Sequence, residues 1–120
     1  MVLSLDLPRS PECAREARSA IIAALAQDPH CDSLEVIASE LVTNAYVHGQ
    51  GDIHLELLRT ATGYRMEVSN DTEAESIDLT PVSGSIDSER GRGLGLVQAF
   101  SSEMGATIKD ARLTVWALIP

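Results

Sequence analysis

Aromatic side chains are nearly absent from this sequence, which holds one Trp, two Tyr and one Phe in 120 residues. Leu, Val, Ile and Ala must therefore fill any interior, and little aromatic surface remains for stacking bases. Basic residues are also few: 9 Lys and Arg stand against 18 Asp and Glu, a formal net charge of −9. Nucleic acids and anionic membrane surfaces draw their affinity from cations. That balance excludes both and favours a protein partner or a metal-bound small molecule. The two cysteines, Cys13 and Cys31, lie in neither CxxC nor Cys/His spacing, which argues against a zinc site. No apolar run approaches membrane-spanning length, and Asp6, Pro8 and Arg9 interrupt the start that a signal peptide would need. The expectation is a cytoplasmic domain with reduced thiols.

What is present suffices for one core. The apolar share is 44%, in the globular range, and the length suits a single domain over residues 1–120. Val2 to Leu7 alternates like a strand and stops at Pro8. Ser10 then caps an Ala-rich helix from Glu12 to Gln27, with Pro11 at its first position. Asp32 or Ser33 caps a second helix that runs to about His48 and ends at Gly49-Gln-Gly51. Ile53 to Arg59 and Tyr64 to Ser69 read as a hairpin. Between Asn70 and Arg90, Pro81, Gly84, several serines and the acids Asp71, Glu73, Glu75, Asp78, Asp87 and Glu89 leave no sustained period. Loops of that length are often functional. Leu96, Ala99, Phe100 and Met104 space a third helix with Gly105 to stop it. Ala106 to Lys109 and Leu113 to Ile119 form a closing hairpin across Asp110-Ala-Arg112.

Two segments carry chemistry. In the second helix Leu34, Ile37, Ala38, Leu41, Val42 and Ala45 form a core-facing stripe. Glu40 and Asn44 stack one turn apart on its edge, and His48 continues the line. A carboxylate and an amide at that border either line a cleft or serve as ordinary boundary polar residues. His48 is equally explained by the last carbonyls and the helix dipole, and His30 and His54 carry no signal. In the second segment Gly91, Gly93 and Gly95 alternate before a helix. Backbone N–H groups freed of Cβ atoms at a helix start favour phosphate, with Arg90 and Arg92 as cations. Tight turns before helices use such glycines as well. The segment is not a P-loop, because no Gly-Lys-Ser/Thr follows.

Together the segments point to a family. Ser39-Glu-Leu-Val-Thr-Asn-Ala45 with His48 closely resembles the N-box of the GHKL ATPases (gyrase, histidine kinases, MutL). Arg90-Gly-Arg-Gly-Leu-Gly-Leu-Val97 resembles their glycine-rich box. Over nearly the whole chain the likeness is to the histidine-kinase-like ATPase domain of stand-alone anti-sigma-factor serine kinases of Gram-positive bacteria. It implies a Bergerat-type two-layer α/β sandwich (α+β), three main helices on a mixed, mostly antiparallel sheet. It further implies Asn44 as ligand of Mg2+, Glu40 as general base, and ATP held by Arg90, Gly91, Arg92, Gly93, Leu94 and Gly95. The acidic segment over about 71–90 would be the ATP lid, and Thr114 would hold adenine through water. Asn70, followed by Asp71, stands where the family usually has the Asp that meets the adenine amino group. Asn offers a carbonyl acceptor there, and the glycines of Asp-x-Gly-x-Gly are missing. The implied partners are a sigma factor and an anti-anti-sigma factor, with a possible homodimer. The alternative is a degenerate module of the same fold that acts by binding alone.

Overall fold

The computed structural model describes residues 1–73 and 89–120, with residues 89–94 described as backbone only. Most of the expected lid therefore lies outside the described residues. The chain runs β1 (Leu3–Leu7), α1 (Cys13–Leu25), α2 (Cys31–His48), β2 (Gln50–Arg59), β3 (Tyr64–Asp71), α3 (Glu89–Phe100), β4 (Glu103–Lys109) and β5 (Arg112–Ile119). The sheet order is β1-β2-β3-β5-β4, and every described pairing is antiparallel. Three helices on one sheet make the α+β two-layer sandwich.

Helix periodicity decides which residues are inside. On α1 every fourth residue is buried, Cys13, Ala17, Ile21 and Leu25. On α2 the whole predicted stripe is buried, joined by Cys31. Burial raises the Cys31 thiol above its ordinary range, with Glu35, Asp32 and Asp28 adding to the shift, so it packs as a poor nucleophile. The strands answer with alternate residues: Ile53, Leu55 and Leu57 on β2, Tyr64, Met66 and Val68 on β3, and Leu113, Val115, Ala117 and Ile119 on β5.

Both predicted helix starts shift by a residue or more. The first helical residue is Cys13, and Ser10 Oγ accepts the Glu12 N–H at 3.3 Å. The second helix begins at Cys31, before Asp32 and Ser33. There the Asp28 carboxylate accepts the His30 N–H at 2.8 Å. In each case a short polar side chain closes a turn ahead of the helix instead of capping it.

The third helix ends earlier than its apolar spacing suggests. Ser101 Oγ donates to Val97 O at 2.5 Å, and the Ser102 N–H bonds Leu118 O at 2.8 Å, turning the chain into the sheet. Met104 then pairs with Ala117 on β5, and Gly105 lies opposite Trp116. A Cβ on Gly105 would stand 2.5 Å from the indole, so this glycine makes room for a ring and stops no helix. The β4–β5 turn holds Asp110 and Ala111 at φ 55° and 61°, the two left-handed positions of a two-residue hairpin turn.

Candidate functional site

The site begins at the C-terminal end of α2. The last carbonyls of a helix have no partner within it, and Arg9, from the β1–α1 loop, supplies one. Its guanidinium donates to Ala45 O at 3.2 Å and to Tyr46 O, and lies 5.5 Å from the centre of the Tyr46 ring. The Gly49 N–H also reaches Ala45 O, at 2.9 Å. Past this end the chain must clear β3, and only a glycine clears it. A Cβ on Gly49 would fall 1.6 Å from Asn70 Nδ2.

Between this turn and the sheet lies a narrow cleft. Leu41, Val68, Leu113 and Val115 give it apolar walls, with Asn44, His48 and Asn70 as its polar members. Asn70 is 2% exposed, and its Nδ2 donates to Asp71 O at 2.7 Å. Turning the amide over would set Oδ1 against a carbonyl oxygen, so the bond to Asp71 holds the acceptor's direction. The cleft has ≈ 20 Å³ of room, enough for about one water molecule.

The structure brings only part of the expected set together. Asn44 and Asn70 share the cleft with His48. Glu40, one turn back on α2, lines the neighbouring groove with Arg18, Ser39, Leu96 and Phe100. Arg18 Nη1 donates to Ser39 Oγ there at 2.8 Å. Asp71 and Thr114 go to the other side of the sheet. Side chains alternate along a strand, so the neighbours of inward Asn70, Leu113 and Val115 must point outward. Asp71 is exposed and pairs with Arg112 at 3.2 Å, while Thr114 sits opposite Ser69 and Thr107. The roles that the resemblance implies for Asp71 and Thr114 are not met by their placement.

The glycine segment also differs from expectation. Gly91, Gly93 and Gly95 lie within α3, not in a turn ahead of it; the side chains of Arg90, Arg92 and Leu94 lie outside the described residues. Each glycine weakens a helix by about 1 kcal/mol relative to Ala. Contact with α2 and the fully buried Val97 hold α3 in place against that weakness. A Cβ at Gly95 would meet nothing within 4 Å, so neither a turn nor a close approach requires a glycine there in this conformation.

Arg9 carried no pattern that the sequence alone makes readable, and Gly49 read only as a helix stop, not as the residue that clears Asn70. Both act through long-range contacts. Among the described residues no group of three or more His, Cys, Asp and Glu could hold a metal ion. A cation at Asn44 would take its remaining ligands from water or from a bound anion.

Residues 4–119 match the family model of the histidine kinase-like ATPase domain, and the chain belongs to that family. No curated protein matches it. Among solved structures, a chain of the SiaB-SiaC complex from Pseudomonas aeruginosa is similar, with a TM-score of 0.69 and 20% sequence identity. The match covers 98% of this chain and 90% of that one, a likeness of fold. No described helix is long and apolar enough to cross a membrane.

Proposed function

We propose that this histidine kinase-like ATPase domain binds Mg-ATP in the α2–β3–β5 cleft and works in the cytoplasm as an anti-sigma factor. In this reading it binds a sigma factor and phosphorylates a serine or threonine of an anti-anti-sigma partner. The observation that carries the proposal is that Asn44 and Asn70 line one cleft with apolar walls. The donor set fits the nucleotide. Apolar walls suit a purine, Asn70 Oδ1 is an oriented acceptor for its amino group, and the Asn44 amide oxygen suits Mg2+. The room does not yet suffice, so the slot must widen to admit a base.

ATP supplies the phosphoryl group when bound. The protein's part is to position and to move a proton. Glu40 stands where it can take the hydroxyl proton of a serine entering from the groove. Arg9 and Gly49 keep the end of α2 against β3, so that Asn44 and Asn70 face one slot. The backbone N–H groups of residues 91–95 serve phosphate only if the start of α3 opens.

Calorimetric titration of ATP with and without magnesium tests the proposal. Binding should appear, should depend on magnesium through Asn44, and should be lost in Asn70→Ala. Glu40→Ala should keep binding while phosphotransfer to the partner disappears. Absence of heat at millimolar nucleotide would sink the nucleotide reading. The ≈ 20 Å³ cleft favours a second reading in that case, a module of the same fold that regulates its partner by contact alone.

A further inference from the structure

Further back along α2, beside the cleft, runs a groove of different chemistry. Asp32, Glu35, Val36, Ser39 and Glu40 line it, the i, i+3, i+4, i+7, i+8 series of one helical face. At 1.5 Å per residue that face is about 12 Å long, two turns of helix. Arg18 of α1 closes one side, Leu96 and Phe100 of α3 the other, and the groove holds ≈ 540 Å³. Leu96 and Phe100, one turn apart, are 44% and 40% exposed. An exposed apolar strip rimmed by polar residues marks an interaction surface.

Charge and backbone chemistry decide what fits. Among the described residues Asp32, Glu35 and Glu40 enter no ion pair, and the one cation in the groove, Arg18, is turned to Ser39. Unpaired carboxylates around the strip attract a cationic surface and repel an acidic one. A second copy of this chain, at net −9, is thereby disfavoured. All three walls are helices whose backbone groups are bonded internally. An extended peptide would find no ladder to join there, whereas a helix satisfies its own backbone.

We propose that this groove receives an amphipathic helix of a partner protein. Its apolar face would lie on Val36, Leu96 and Phe100, and its basic edge along Asp32 and Glu35. The inference deepens the partner-binding reading above and rests on it only in needing a protein partner, not a filled cleft. Glu40 ends the lining series one turn from Asn44, so a helix seated in the groove lies beside the cleft.

The test uses the whole chain and a fluorescent amphipathic Leu/Lys peptide, with a Leu/Glu peptide of the same apolar spacing as its opposite. The Leu/Lys peptide should bind saturably and weaken with salt. Phe100→Glu should lose at least about tenfold in affinity. Glu35→Lys should weaken the basic peptide and gain affinity for the acidic one. Leu96→Ser repeats the test if circular dichroism shows Phe100→Glu unfolded. Undiminished binding by a folded variant would mean that net charge alone attracts the peptide, and overturns the proposal. Equal binding of both peptides, or no binding, overturns it too. ATP titrated into the same proteins separates the two readings. Peptide binding without nucleotide binding upholds the groove and sinks the nucleotide; the reverse sinks the groove alone.

Discussion

The two ends of α2 are built on opposite principles. At its start, the α1–α2 loop is tied to the sheet by a dense polar cluster. Buried Tyr64 donates its hydroxyl to Asp28 Oδ2 and accepts from Arg59 Nη2 at 2.9 Å. His30 bonds Asp28 Oδ1 at 2.8 Å, reaches the Pro120 carbonyl at 3.1 Å, and sets its ring edge-on to Tyr64. At its other end is a slot with room for about one water molecule, and α3, packed along α2, carries three glycines in its first seven residues. The first end is held by a network of polar bonds. The other has fewer, and the sparsely bonded parts of a fold are the ones that open first.

The first way to break this contrast is to loosen the tight end. Tyr64→Phe removes a hydroxyl that both donates and accepts inside the protein, and should cost about 1–2 kcal/mol in urea unfolding. It also bears on acid stability. Hydrogen bonds from Tyr64 first, then from His30, hold the Asp28 carboxyl down from 3.8 to about 2. A depressed carboxyl stabilises the fold above its unfolded value, and that contribution is lost as pH falls from about 4 towards 2. In Tyr64→Phe the Asp28 carboxyl should titrate closer to its ordinary value, and the acid-dependent loss should shrink. An unchanged pH profile would show that the cluster does not set acid stability.

Stiffening the loose end sharpens the contrast. Because a Cβ at Gly95 meets open space, Gly95→Ala should stabilise α3 by about 1 kcal/mol. If α3 must unwind to offer its N–H groups, the same change should weaken nucleotide binding. A stabilised variant that binds ATP as tightly as the parent would show that α3 stays helical throughout. The smallest effect is expected at the β4–β5 turn. Ala111→Gly relieves about 1–2 kcal/mol of left-handed strain but adds about 0.5–1 kcal/mol of backbone entropy. It should raise stability by about 0.5–1 kcal/mol in thermal unfolding and leave binding untouched.

How much of this was legible beforehand depends on the range of the interaction. The buried stripe of α2 was readable residue by residue, because a 3.6-residue period is local and eighteen residues repeat it enough times. The pairing of Asn44 with Asn70 followed from the family resemblance, and the structure places both in one cleft. Asp71 and Thr114 were grouped with them through the same resemblance, yet each lies one residue along its strand from an inward position and so on the opposite face. Met104 fits a helical series as well as a strand, and its pairing with Ala117 decides the matter. The glycines read as a turn ahead of the helix, and in the structure they lie within α3, which packs on α2.

The sequence by itself determined the layers of this protein. Its periodicities made α2 an amphipathic helix with Glu40 and Asn44 on one edge. Only the tertiary structure decided what those two residues line: Asn44 a slot shared with Asn70, Glu40 a groove walled by Arg18, Leu96 and Phe100. The reason is physical. A local period sets which way a side chain leaves its own element, but what it meets there is set by strand register, by helix packing and by single contacts such as Arg9 on the end of α2. Each of these joins residues far apart in the chain.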